Sequence, residues 1–496
     1  MLSQTQAPLV SALQICARRR QAAFYTPGHK GGQGISALHR AVFGADIFRV
    51  DVPELPELDD LFAPESVILA AQELAAEAFG AERTWFLVNG STCGVEAALL
   101  ATCGPGDRVI VPRNAHQSVL SGLVLTGAMP VWVAPAYEPD WQMTLGMTVD
   151  AIAAALHQHT DVKAVVVVSP TYEGVCSDIA AIADVVHGYD IPLIVDAAHG
   201  PHLVFHPGLP PSALSGGADI VIHSAHKVLA AFTQAALLHG QGERCDRNRL
   251  TQALRMTQSS SPSYLLLGSL DAARHQMATE GKALMDHTLA LAQSARRQLR
   301  DSSLPVLDVS RGSVFQQDLT RLTVDVATVG TTGFDADTWL HGRGVTAELP
   351  TLRQLTFIIS LGNSAQDIER LIQGLRQLPA TGASYPLGLH TDIPLPGVSP
   401  REAFFAPAVA CAANSAVGQL SADTVCIYPP GIPNLMPGEP ITAEILQTLQ
   451  TAQAAGAHLS GLADPTLRTL RVLQPTAAVG LARLEEQRYP QAIQTW

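Results

Sequence analysis

The chain is expected to be an α/β protein with a mainly parallel sheet covered on both faces, followed by a small α+β domain and a C-terminal domain. Three observations predict this. Strand and helix patterns alternate from Leu61 to about Gly240, each apolar strand closes on turn or polar residues, and 496 residues are more than one ordinary core holds.

"PESVILAAQELAAEAFGA" carries apolar residues at helical spacing, "TWFLVNG" is a short buried strand ending in glycine, and "STCGVEAALLATC" resumes as helix. "GDRVIVPRNAH", "MPVWVAP", "KAVVVVSPTYEG", "IPLIVDAAHG" and "ADIVIHSAHK" are further strands, with helical stretches such as Asp178 to Gly188 among them. A helix around Leu265 to Arg300 leads away from this sheet. "LTRLTVDVATVG", "FDADTWLHGRGVTAEL", "TLRQLTFIISLG" and "SAQDIERLIQGLRQL" then read as strand, helix, strand, helix. "LPATGASYPLGLHTDIPLPGVSP", Leu378 to Pro400, has the Pro/Gly content of a linker. The expected division is an N-terminal arm (1–60), a large domain (61–305), a small α+β domain (306–380), and linker plus C-terminal domain (381–496).

Composition narrows the function classes. With 47% apolar and 15% charged residues the chain is a folded globular protein, and no apolar run has transmembrane length. The first 20 residues place their positive charges after the apolar part, the reverse of a secretory signal, so a soluble, cytoplasmic protein is expected. Seven widely spread cysteines without a Cys-x-x-Cys pair argue against a disulfide framework and a zinc site, and no metal is expected. A net charge of −13, with no basic block beyond Arg18 to Arg20, argues against a nucleic-acid partner.

Polar groups collect just after the strands, where open α/β sheets bind ligands. They are Ser91 and Thr92, His116, Thr171, Asp196 and His199, then Ser224, His226 and Lys227. Gly90, Ser91 and Thr92 make a strand-to-helix turn whose free N–H groups and hydroxyls suit a phosphate; an ordinary N-cap is the alternative. Asp196 ends a buried strand, where a carboxylate can keep a pyridinium nitrogen protonated; it could instead cap the next segment. Lys227 ends the next strand, and a lysine in a dry pocket has a lowered pKa and can form a Schiff base. His116 could lie flat on a cofactor ring or be a hydrogen-bonded loop histidine.

The chain resembles the Orn/Lys/Arg decarboxylases, which depend on pyridoxal 5'-phosphate (PLP) and have fold type I, that of aspartate aminotransferase. The resemblance is carried by "FYTPGHKGG", "DVPELPELDDLFAPESVILAAQELAAEAFGAERTWFLVNGSTCG", "RNAHQSV", "SPTYEG", "DAAHG", "SAHKVLAAFTQAALLH", "SSSPSYLLLGSLD", "SPREAFFAP" and "YPPGIPNLMPGE", which span nearly the whole chain in family order. It implies decarboxylation of arginine, lysine or ornithine to the amine and CO2, with arginine expected first, and a place in polyamine synthesis or amino-acid breakdown. Lys227 is implied as the Schiff-base lysine, Asp196 as the pyridinium partner and His116 as the stacking residue. Ser91, Thr92, Ser224 and His226 are implied to bind phosphate, and His199 to lie against cofactor or substrate. Lys227 and His226 are both candidates to return the proton to the α-carbon.

The resemblance further implies a homodimer or larger assembly of the short form, with "FYTPGHKGGQG", including His29 and Lys30, as an N-terminal arm near the interface and "SSSPSY", from Ser259, reaching the partner's phosphate; either segment could instead be ordinary loop structure. Glu439 could take the substrate's distal cation or be a solvated glutamate after a turn. The sequence departs from the family pattern at Ala197, where an acidic residue is frequent, at Gln117, where a cation is frequent, and at Gly94-Val95 in place of Gly-Asn. "VACAANSAVGQLSAD" also lacks a frequent acidic pair, which leaves the distal-group pocket undefined. Rival readings are another fold-type-I reaction, transamination or aldol cleavage, and a non-catalytic PLP-binding regulator. "SLGN" offers no arginine to clamp a carboxylate as aminotransferases do, and the joint presence of Lys227, Asp196 and His116 opposes the regulator.

Overall fold

The computed structural model describes residues 3–19, 21–300, 302, 304–309, 314–380, 382, 398–428 and 430–474. The expected linker, Leu378 to Pro400, lies mostly outside the described residues, as does the chain beyond 474.

Seven strands form the main sheet: β1 (Arg83–Leu87), β2 (Arg108–Pro112), β3 (Met129–Val133), β4 (Val162–Val168), β5 (Leu193–Asp196), β6 (Ile220–His223) and β7 (Ala236–Gly240). Their spatial order is β1-β7-β6-β5-β4-β2-β3. The five strands from β6 to β3 pair in parallel, whereas β7 runs antiparallel to both β6 and β1. Alternation along β4 explains why this sheet must be covered twice: Val165 and Val167 enter one core, Ala164 and Val166 the other. The antiparallel β7 arises from the apolar run after Lys227, which turns straight back instead of crossing over.

Two helices start directly behind strands of this sheet. After α1 (Pro8–Arg18), the helix α2 (Gly90–Thr102) begins behind β1 and α3 (Gln117–Thr126) behind β2. Gly94 lets α2 lie close on the sheet, because a Cβ there would come within 2.7 Å of Leu87 Cδ1 and 3.1 Å of Ile222 Cγ2. The four-residue α4 (Ala225–Val228) follows β6 and carries Lys227.

The expected N-terminal arm is only partly an arm. Leu9 and Leu13 of α1 are buried in the main core, and Asp271 accepts from Leu9 N at 3.0 Å. Arg274 ties the preceding turn down by donating to Gln4 O at 3.0 Å and Gln6 O at 2.7 Å. The 37-residue α5 (Tyr264–Arg300), which carries Asp271 and Arg274, then runs from the main core into the next one. There β8 (Arg321–Asp325), β9 (Leu349–Pro350) and β10 (Gln354–Ile358) form an antiparallel sheet with β10 in the middle, beside helices Gly333–His341 and Ala365–Arg376. A third core, around Val425, Leu435, Leu449, Leu470 and Val472, belongs to the C-terminal region. Among the described residues no helix is long and apolar enough to cross a membrane.

Candidate active site

The β5 and β6 ends, the α2 N-terminus and the C-terminal region converge on one crevice. Gly90 adopts φ +77°, which turns the chain from β1 into α2, and the N-cap, Asn89, makes no side-chain cap. The first N–H groups of α2 therefore lack the usual side-chain acceptor, and they lie beside Ser91. Ser224 Oγ donates to Ser91 Oγ at 2.7 Å, which joins the start of α2 to the end of β6 across 133 residues of sequence. Thr92 is exposed at the same helix start.

Asp196 is 6% exposed at the end of β5, and its Oδ1 accepts from Ala198 N at 3.1 Å. Lys227 Nζ lies 3.0 Å from His199 Nε2 and 5.2 Å from the centre of the Tyr172 ring. Tyr172 and His199 are themselves in ring contact, with centroids 4.6 Å apart. Burial lowers the pKa of Lys227 despite the opposing pull of Asp196 and Glu348, so its free amine is easier to reach. Burial and the Lys227 charge likewise hold His226 below its ordinary value.

His116 is the N-cap of α3: its Nδ1 accepts from Ser118 N at 3.1 Å, which leaves the ring proton on Nε2. Burial lowers its pKa against the pull of Asp196. The C-terminal region covers this ring, because Gly431 O accepts from Gln117 N at 2.9 Å and a Cβ on Gly431 would stand 2.8 Å from His116 Nε2. That contact is invisible in the sequence, and sequence reasoning also missed Tyr172 and Arg321, which touch His199 from other segments. The signal available for Arg321 was a cation inside an otherwise apolar strand pattern.

Thr171 and Glu439 each have protein partners of their own. Thr171 Oγ1 accepts from Val175 N at 3.2 Å and its hydroxyl also bonds the Glu173 carboxylate, so it closes its own turn. Glu439 is not solvated: it is 1% exposed, and its Oε2 accepts from Arg113 Nη2 at 3.2 Å and from Met436 N at 2.9 Å. Arg113 also donates to Pro433 O at 2.5 Å and Asn434 O at 3.2 Å, which makes the pair a latch between the large domain and the C-terminal region. Oε1 of Glu439 is buried without a hydrogen-bond partner. Ser259 N donates to Asn89 Oδ1 at 3.3 Å, which sets the start of "SSSPSY" beside the α2 turn.

The model of the Orn/Lys/Arg decarboxylase major domain matches residues 7–321, and that of the family's C-terminal domain matches residues 398–467. The chain belongs to the Orn/Lys/Arg decarboxylase family. It is 36% identical over 489 residues to an arginine decarboxylase of Bacillus subtilis, covering 96% of this chain and 100% of that protein. A constitutive lysine decarboxylase of Escherichia coli is 26% identical over 563 residues, covering 92% of this chain and 78% of that one. Among solved structures, the lysine decarboxylase LdcF of Francisella novicida superposes with a TM-score of 0.81 at 22% identity, over 95% of this chain and 81% of that one. Membership implies PLP as the cofactor of this decarboxylase. The residues fit it: an uncapped helix start with two hydroxyls for a phosphate, a buried carboxylate for a pyridine nitrogen, and a lysine amine for an aldehyde.

Proposed function

We propose that the protein removes the α-carboxylate of a basic amino acid, arginine in the first place, to give the amine and CO2. The observation that carries this reading is the position of Lys227 Nζ, held 3.0 Å from His199 Nε2 in the crevice that Asp196 and the α2 N-terminus also reach. The α2 start, Ser91, Thr92, Ser224 and His226 would hold the phosphate. Asp196 would keep the ring nitrogen protonated, and His116, backed by Gly431, would stack on the ring. Bound there, PLP supplies the sink for the electron pair that CO2 leaves behind. Lys227 holds the cofactor between turnovers, and Lys227 or His226 returns a proton to the α-carbon. Arginine is favoured over lysine by the 36% identity to the Bacillus subtilis enzyme.

A homodimer or larger assembly belongs to the same reading. Phe24 is 95% exposed, Leu38 74%, Val42 65% and Phe43 58%, exposed apolar side chains of the segment around His29 and Lys30 that a second copy of the chain would cover. A cytoplasmic location accords with seven cysteines that are all free.

The test is to incubate the protein and PLP with arginine, lysine and ornithine separately and to identify the products by mass spectrometry. Agmatine, cadaverine or putrescine is expected from the matching substrate, and none from Lys227→Ala. Cofactor absorbance that depends on Lys227, without amine from any of the three, would overturn the reading.

A further inference from the structure

We propose that Arg321 is a positioning residue that fixes the ring proton of His199 on Nε2 and thereby presents Lys227 as an uncharged amine. The inference rests on the reading of Lys227 as the reactive amine and extends it to a residue of the small domain, the first of β8.

A guanidinium only donates hydrogen bonds. Arg321 Nη2 lies 3.1 Å from His199 O and 3.4 Å from His199 Nδ1, so both atoms must accept. With Nδ1 accepting, the single proton of the neutral imidazole sits on Nε2. That nitrogen lies 3.0 Å from Lys227 Nζ, and an N–H pointing at Nζ needs a lone pair there. An ammonium has none, so the chain of contacts selects the free amine. Burial is the largest of the causes that push His199 well below its ordinary pKa, and the Arg321 charge adds to it, so the ring stays neutral and its tautomer is the variable that Arg321 controls.

Arg321 is itself held in place. It is 0% exposed, and Gly174 packs so closely on its stem that a Cβ there would lie 2.7 Å from the Arg321 Cβ. Its Nη1 is 3.9 Å from Asp318 Oδ2, which also pairs with His202 Nε2 at 3.0 Å. Burial opposes ionisation of Asp318, but His202, Arg321 and the Thr320 hydroxyl outweigh it and keep the carboxyl well below the usual range. A buried cation is thus matched by a buried anion. Of the other groups facing Lys227, Asp196 and Glu348 favour its charged form, while His116 and His226 both have lowered pKa values and carry no charge to offset them. The relay through His199 works against those two carboxylates.

The test reads the ionisation of Lys227 directly. Full-length protein freed of cofactor is acetylated with acetic anhydride across a pH series, and the fraction labelled at Lys227 is measured by mass spectrometry, with near-ultraviolet circular dichroism reporting the fold. His199→Phe, which keeps a ring against Tyr172, is expected to raise the labelling midpoint by about one pH unit, a roughly tenfold fall in labelling at neutral pH. His199→Gln, whose amide can donate to Nζ without Arg321, is expected to keep the wild-type midpoint. Arg321→Gln also removes a charge, so its shift is read in both backgrounds and is expected to be larger beside His199 than beside Phe. An unchanged midpoint in His199→Phe, or an equal Arg321→Gln shift in the two backgrounds, would overturn the relay. If Arg321→Gln fails to fold, the two His199 variants still decide. No turnover is needed, so failure of the relay is distinguishable from failure of the decarboxylase reading, which the amine products test.

Discussion

Replacing Arg113 with methionine keeps most of the stem's volume and removes the cation that faces Glu439. The pair is buried, with side-chain exposures of 16% and 1%, so the carboxylate would remain in a dry site with Met436 N as its one donor. Breaking a buried pair from one side costs about 3–5 kcal/mol, and the guanidinium's bonds to Pro433 O and Asn434 O are lost with it. Burial already raises the pKa of Glu439, with Arg113 opposing, so the variant would raise it further. The sign follows: the folded variant binds a proton that the unfolded chain releases, so the destabilisation is full at alkaline pH and shrinks as pH falls through the variant's folded pKa. Hydrogen exchange over residues 398–474 should show faster opening in Arg113→Met, more so at pH 8 than at pH 5.5. Arg113→Met with Glu439→Gln should recover most of the loss, because no buried charge is then left unpaired. Exchange unchanged from wild type, or a double variant no better than the single one, would refute the latch.

Gly431→Ala should displace the His116 ring, since the added Cβ meets its Nε2 at 2.8 Å; a fall in turnover of tenfold or more with a melting temperature near wild type is the expected result. Ser224→Ala removes the hydroxyl that donates to Ser91, and equilibrium titration should show PLP affinity falling about tenfold, a loss near that of one hydrogen bond to a charged group. Burial depresses His239 to a pKa of about 3, so its neutral form stabilises the fold above the unfolded histidine value and that stability drains away as pH falls from about 6.5 toward 3. Urea unfolding of His239→Gln should therefore lose stability with acid less steeply, by about 1.4 kcal/mol per pH unit across that window; an acid limb as steep as wild type would count against a neutral buried His239.

Chemistry that lies within a few residues of a strand end was legible in the sequence. Ser91, Ser224 and Lys227 follow β1 and β6, Asp196 ends β5, and short apolar runs closed by turn or polar residues locate those strands. What was not legible depends on partners far along the chain. Glu439 could be read as substrate ligand or solvated turn because its cation, Arg113, stands 326 positions away. Arg321 reaches His199 across 122 positions, and only tertiary packing brings the two together. The docking of the first helix was not legible either, because its apolar face meets the main core and its N-terminal turn is tied to Asp271 and Arg274, both on α5. The bond from Val175 N to the Thr171 hydroxyl likewise depends on how the turn folds, which residue type alone does not disclose.

The long helix α5 has a bearing on how far the chain can be divided. Its last turns supply Leu291, Ala292, Ala295 and Leu299 to the core that also contains Leu322, Val324, Leu355 and Leu371. A fragment cut at residue 306 would leave that wall behind with Leu304 and expose the apolar side of β8 and β10 to water. The sheet after residue 306 is therefore a tenant of its neighbour's helix, and any recombined protein that exchanges it must carry the end of α5 along.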